Sequence, residues 1–249
     1  MQLSDLIARF RTLSGDHAQP PLWDDPTVTA WLNEAQREAC MRAHLIEDDS
    51  TSAIVNITAV NGQWEYPLDP RVQDVLRVTA CHTLVGPPYS YKHVVRGYEE
   101  DIRHQWARDP DATRRPRHFA VFGDGGASTG RTLILDGIPD QTLDPIQFQL
   151  VVDRFPLEDM DSTEPTDTPE ISPRHHPDLV QWALHLAYQT RDMEGSAPER
   201  STAALANFES KFGVRPDANV QRKRLRHKAT VCQPIGGDAG YGRRYSGRW

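Results

Sequence analysis

The spacing of apolar positions changes twice along the chain, and the changes mark out its elements. Over residues 4–13, Leu6, Ile7, Phe10 and Leu13 recur at helical intervals, with Ser4 placed to cap the open N–H groups. Ser14, Gly15 and Asp16 are placed to end that helix, and Pro20 and Pro21 stiffen the connection after it. A longer helix is predicted from Asp25, with Pro26 in its first turn, to about Ile46. Its apolar stripe is Val28, Trp31, Leu32, Ala35, Ala39 and Leu45, while Glu34, Arg37 and Glu38 face outward.

From residue 53 the period falls to two. Residues 53–58 and 64–68 alternate apolar and polar and read as strands, and Asn61 with Gly62 between them predicts a hairpin turn. Residues 72–79 continue as a strand, 85–91 form a loop, and 94–108 read as a helix. Three short strands follow at 117–122, 131–135 and 146–155, separated by Gly- and Asp-rich turns. Residues 156–177 are acidic, Pro-rich and aperiodic, a length that predicts a mobile surface loop or a contact segment.

Two helices close the body. Asp178 is placed to cap 179–190, which buries Leu179, Trp182, Ala183, Leu186 and Ala187. Residues 199–212 bury Ala203, Ala204, Leu205, Phe208 and Phe212, and Gly213 ends the run. The expected fold class is α+β. Helices from 1–50 and 178–213 form one helical bundle, and an antiparallel β-rich region with one helix, 51–155, is inserted between them. The loop 156–177 and an extended tail, 214–249, complete the plan.

Composition narrows the class. With 249 residues the chain can bury a core, but 38% hydrophobic residues and 19 prolines predict that part of it is extended or completed by a partner. No run approaches the roughly 18 apolar residues that span a bilayer, and the N-terminal stretch, interrupted by Asp5, does not read as a secretory signal. Cys40, Cys81 and Cys232 are odd in number and far apart, which suits a reducing cytoplasm rather than a disulfide framework or a CxxC zinc site.

Charge is divided unevenly. Residues 214–249 hold nine Arg and Lys against two Asp, a balance of +7, whereas residues 1–213 hold 19 basic and 33 acidic residues, a balance of −14. A basic tail on an acidic body predicts an interaction tail, its partner a nucleic acid or an acidic protein surface.

Candidate chemistry is sparse. Residues 125–132 (GGASTGRT) resemble a phosphate-binding loop with Arg131 in place of the lysine, but the following LILDG is a strand and a turn, not the helix that would face a phosphate. The segment therefore reads as a hairpin. His175 and His176 are adjacent and point apart, and His185 on an apolar helix reads as packed and hydrogen-bonded, so no metal site is predicted. The acidic pairs Asp24/Asp25, Asp48/Asp49 and Glu99/Glu100 read as caps and solvated faces. HExxH and GxGxxG motifs do not occur, and the expectation is a protein that is not an enzyme and uses no cofactor.

The tail carries the strongest signal. Residues 221–228 (QRKRLRHK) are a basic octamer, and 241–249 (YGRRYSGRW) interleave aromatics with arginine and glycine. Such a segment cannot build a core. Its residue types dominate binding hot spots or stack on bases, so Arg222, Lys223, Arg224, Arg226, Lys228, Tyr241, Arg243, Arg244, Tyr245 and Trp249 are the candidate site residues.

The opening LIARFRTLSGD with LWDDPTVTAWLNEAQREACMRAHL, and later HHPDLVQWALHLAYQTRDMEG with ALANFESKFG, resemble the bacteriophage head-to-tail adaptor proteins. These are the connector rings of short-tailed phages, tail tubular protein A-like. The resemblance implies a structural virion protein assembled in the host cytoplasm and placed at the head–tail junction. It implies a self-associated ring, usually of twelve copies, docked on the portal protein and offering an attachment site to the tail or nozzle protein. Genomic DNA passes through the lumen without sequence-specific binding, and no membrane is involved. The family plan of a helical bundle with an inserted β-rich domain agrees with the periodicity. In some relatives the C-terminal segment extends over the portal, so the ten tail residues are expected to contact it. An acidic body also suits a channel in which DNA must slide. The alternative is a nucleic-acid-binding accessory protein acting through the basic tail, and a third reading is a nucleotide hydrolase using 125–132.

Overall fold

In a computed structural model, residues 1–82, 91–108, 115–123, 130–139, 146–190 and 197–217 are described. They form a mixed α+β fold. The first helix, α1 (Leu3–Ser14), begins one residue before Ser4, because its open N–H groups are satisfied from elsewhere. The Leu3 and Ser4 N–H groups donate to the Asp167 and Pro165 carbonyls at 2.7 and 3.1 Å, and the Asp5 carboxylate accepts from Gln2 N–H. Helix α2 (Asp25–Ala43) starts as expected, with the Asp24 carboxylate accepting from Thr27 N–H at 3.0 Å. It ends earlier than its apolar pattern suggests, because His44 turns left-handed (φ 50°) and the chain enters strand β1 (Glu47–Asp48).

The β-region departs from the expected plan in three places. Residues 53–58 are not one strand: a helical turn, α3 (Ser52–Val55), precedes a short β2 (Asn56–Thr58). Asn61 and Gly62 do form a turn, with Gly62 at φ +79°, but they do not join a hairpin. β2 pairs with β8 (Ile146–Arg154), while β3 (Glu65–Pro67) pairs with β7 (Thr132–Leu135). Residues 94–108 are not one helix. The β-branched pair Val94 and Val95 extends β5 (Tyr91–Arg96), Gly97 breaks the run, and α4 (Glu99–Arg108) begins on an acidic first turn.

With β4 (Val72–His82) and β6 (His118–Phe122) the strands form an eight-stranded sheet in the order β1-β8-β4-β5-β6-β7-β3, β2 also lying on β8. All pairs are antiparallel except β5 with β6, so the region is antiparallel-rich rather than purely antiparallel. The sheet curls. Tyr66 on β3 meets Phe148 on β8, near the opposite end of the strand order, edge to face at 6.0 Å. Val75, Val78, Phe119, Leu133 and Leu150 fill the interior of the curl. β6 and β7 flank residues 124–129, which lie outside the described residues, and pair antiparallel from Phe119↔Leu135 to Phe122↔Thr132. That is the hairpin geometry expected around the Gly-rich segment.

A second core joins α1 and α2 to α5 (His176–Gln189) and α6 (Pro198–Phe212) through Leu6, Phe10, Leu32, Leu179, Ala183 and Phe208. α5 starts at His176 with Pro177 in its first turn, so Asp178 lies inside that turn instead of capping it. Residues 156–177 are a contact segment of the body. The Asn33 side chain donates to the Met160 carbonyl at 2.9 Å and accepts from its N–H at 3.0 Å, both buried. Gln36 Oε1 accepts from Glu170 N–H at 2.7 Å, and Arg37 pairs with Asp159. Arg154 sits between sheet and helices with its side chain 6% exposed, held by Asp48 at 2.6 Å and by Glu170. Among the described residues, no helix is long and apolar enough to cross a membrane.

Candidate docking interface at the root of the C-terminal tail

The described chain continues past α6 only to Asp217, and the residues there are fixed by one buried cation. Arg42 lies in the last turn of α2, where a positive charge complements the helix dipole. Its side chain is only 3% exposed. Its guanidinium carbon sits 5.2 Å from the ring centroids of both Trp182 on α5 and Phe208 on α6. Desolvated against two adjoining rings whose centroids are 5.1 Å apart, the cation is held by cation–π attraction as well as by its hydrogen bonds. It donates to Glu38 at 3.2 Å, one helical turn back, to Glu209 at 3.5 Å, and to the carbonyl of Gly213 at 3.0 Å.

The Gly213 bond is the one that matters for the tail. Gly213 stops α6 at φ +85°, and its carbonyl is seated on Arg42, so the direction in which the chain leaves is set by the helical core. Two residues on, Arg215 reaches back to the other oxygen of Glu38 at 3.6 Å. Glu38 thus faces Arg42 with one oxygen and Arg215 with the other.

Beside this root, where α2 meets the chain following β8, lies a cleft of about 500 Å³. Met41, Pro70, Phe155, Pro156 and Leu157 give it an apolar floor, and Glu34, Glu38, Asp159, Arg37 and Arg71 rim it. Its size falls within the range of small-ligand and side-chain pockets. Arg71 is engaged by Asp69 in a two-pronged pair at 2.8 Å, and Arg37 by Asp159.

The ten candidate tail residues, from Arg222 to Trp249, lie outside the described residues. The other candidates are placed in structural roles. His185 is packed against Trp182, and its Nδ1 meets the Ser201 hydroxyl at 2.9 Å. The ring of His176 meets the Met1 amine at 3.0 Å and the Ile171 carbonyl at 2.8 Å, while His175 stacks on Phe212. Asp24 caps α2, Asp25 pairs with Arg11, and Glu99 pairs with Arg103. Burial would raise the Asp48 carboxyl, but bonds from Thr51, Ser50 and Arg154 hold it well below the usual carboxylate range. Cys40 has the opposite fate: burial, reinforced by the nearby Glu170 charge, pushes its thiol up to about 12.

The root residues Arg42, Glu209 and Arg215 were not singled out by the sequence pattern, and Glu38, expected to face outward, is buried because Arg42 and Arg215 supply its partners. The four-residue spacing of Glu38 and Arg42 was legible as a helical ion pair, but their meeting with residues 209–215 depends on how α2 and α6 pack.

Comparison with proteins of curated function gives no match. The model of the SU10 adaptor protein family matches residues 1–231, and the chain belongs to that family, consistent with a phage head-to-tail adaptor.

Proposed function

We propose that this adaptor is a non-enzymatic structural ring of twelve copies, docked on the portal protein at the head–tail junction of the virion. In this reading the four helices around the common core form the bundle, the curled sheet is its insertion, and residues 214–249 extend as an anchor. The ring prolongs the channel through which the genome leaves and presents an attachment site to the tail or nozzle protein. Assembly takes place in the host cytoplasm, where the portal acts as the template. Arg222, Lys223, Arg224, Arg226, Lys228, Tyr241, Arg243, Arg244, Tyr245 and Trp249 contact the portal.

The observation that supports this reading is the fixed root, in which the Gly213 carbonyl is seated on a buried Arg42 and Arg215 on Glu38. A segment meant to engage a partner gains from a rigid origin, because less orientational freedom is lost on docking. The basic octamer also supports a second reading, in which the tail holds nucleic acid phosphates.

Mass measurement by light scattering separates the two. The full chain, and a chain cut after Asp217, are each mixed with a portal ring. Stoichiometric loading by the full chain that is lost on truncation supports the anchor. Absence of loading, with DNA binding by the tail that falls steeply as salt rises, favours the second reading.

A further inference from the structure

We propose that the cleft beside the tail root is a receptor for the aromatic–arginine end of the chain's own tail, residues 241–249. Three features of the cleft select that occupant. Its floor of Met41, Phe155, Pro156 and Leu157 offers apolar contact to a planar ring, and a buried tyrosine or tryptophan contributes one of the largest contact areas of any side chain.

Its rim selects a cation. Arg37 and Arg71 are already engaged by Asp159 and Asp69. Glu34 is exposed, and among the described residues its polar partner is the neutral Trp182 indole N–H at 3.3 Å. A carboxylate beside an apolar floor matches an arginine next to an aromatic ring, the alternation found in Tyr241, Arg243, Arg244, Tyr245 and Trp249. The body carries −14 and residues 214–249 carry +7, so the long-range field draws the two together as well.

The third feature is position. Glu38 both lines the cleft and pairs with Arg215, so the tail departs from the rim of the cleft itself. The chain between residues 217 and 241 spans up to about 80 Å when extended, at roughly 3.3–3.6 Å per residue, far more than a return to the rim requires. Tethering of this kind gives an effective local concentration on the order of millimolar, which favours the chain's own tail over that of a second copy. Docked there, the aromatic end is kept from other surfaces until the portal takes it, and this last step alone rests on the portal reading above.

The test uses the full chain with a photoreactive benzophenone amino acid in place of Trp249. Irradiation at low protein concentration is followed by gel separation and peptide mass mapping. The expected result is a cross-link within one chain to peptides containing residues 34–41 or 155–159. Its yield falls at least fivefold in Leu157→Gln, which removes part of the floor, and in Glu34→Gln, which removes an exposed rim charge and keeps an acceptor for the Trp182 indole N–H. Cross-links between chains, cross-links elsewhere on the body, or yields unchanged in Glu34→Gln overturn the proposal. Portal loading is measured on the same sample. Loading without the cleft cross-link removes this inference and leaves the anchor standing, and the cross-link without loading does the reverse.

Discussion

Replacing Arg42 by methionine tests whether one buried cation ties the tail root to the helical core. Methionine keeps an unbranched apolar stem against Trp182 and Phe208, so the change removes charge and hydrogen bonds with little loss of volume. Three contributions are lost. Cation–π attraction to two rings is worth about 1–2 kcal/mol for a desolvated guanidinium. The charged bond to the Gly213 carbonyl contributes about 1.5–3 kcal/mol. The ion pairs with Glu38 and Glu209 are the third, and loss of the first is softened because Arg215 still faces the Glu38 carboxylate.

These contributions overlap, since one guanidinium makes all of them, and the expected destabilisation of Arg42→Met is about 2–4 kcal/mol. Much of it is the cost of leaving Glu38, 8% exposed, with a weaker partner. The double variant Arg42→Met/Glu38→Gln is therefore expected to recover at least about 1 kcal/mol relative to the single one. Urea unfolding of the full chain, followed by circular dichroism, measures both. Trypsin cleavage after Lys211, in the last turn of α6, supplies a local readout, because release of the Gly213 carbonyl frays that turn and cleavage accelerates. A loss below about 1 kcal/mol for the single variant, or a double variant less stable than the single, would falsify this account of the root.

The other predictions concern the sheet, its junction and the thiols. Arg154→Met leaves the Asp48 carboxylate buried without its cation and lowers stability at pH 7 by about 3–5 kcal/mol. Asp48 and Glu170 both titrate below their usual range, so the stability they contribute is present above about pH 4–5 and is lost as pH falls through their folded values. The gap between wild type and Arg154→Met in thermal melts therefore narrows below about pH 4, and a gap constant from pH 7 to pH 3 counts against the ion cluster. Gly123→Ala places a methyl 2.7 Å from the Gly130 carbonyl at φ +96° and is expected to cost at least about 1–3 kcal/mol, read as a lowered Tm. Cys40 is buried with its thiol pushed up to about 12, so brief iodoacetamide treatment of the native chain at pH 8 modifies the partly exposed Cys81 before Cys40. Equal modification of the two, mapped by mass spectrometry, contradicts that placement.

What could be read from the sequence was whatever rests on local periodicity. Phe10, Leu32, Leu179 and Phe208 declare their buried faces within one or two helical turns, and all four are in the helical core. The β-region was less legible because pairing is a long-range decision. Asn61 and Gly62 signal a turn correctly, but whether the flanking strands pair with each other depends on the competing edges of β7 and β8, more than 60 residues away. The strand in residues 91–96 was hidden for a different reason: Val94 and Val95 sit directly before a helix whose period runs back into them. Asn33 shows the limit most plainly. On an amphipathic helix it reads as a polar residue at the stripe's edge, yet it is 8% exposed and its amide holds both backbone groups of Met160, 127 residues distant. No local pattern carries that information.

Charge distribution links the root to assembly. In the proposed ring, bodies of −14 stand side by side, and at physiological salt a Debye length of about 8 Å screens the distant pairs but not neighbours in contact. Like-charged copies therefore resist closing into a ring on their own. Each tail of +7 offsets half of its body's charge, and where the tail lies decides which boundary benefits. Folded back on the cleft, it halves the charge of its own chain and withholds its aromatic–arginine end from a partner. Extended from the Arg42-bound root, it carries that positive charge to another surface while its origin stays fixed to α2, α5 and α6. In the proposed ring, a rigid root with a relocatable charge would couple docking to assembly, because a surface that captured the tails would also gather bodies that otherwise repel.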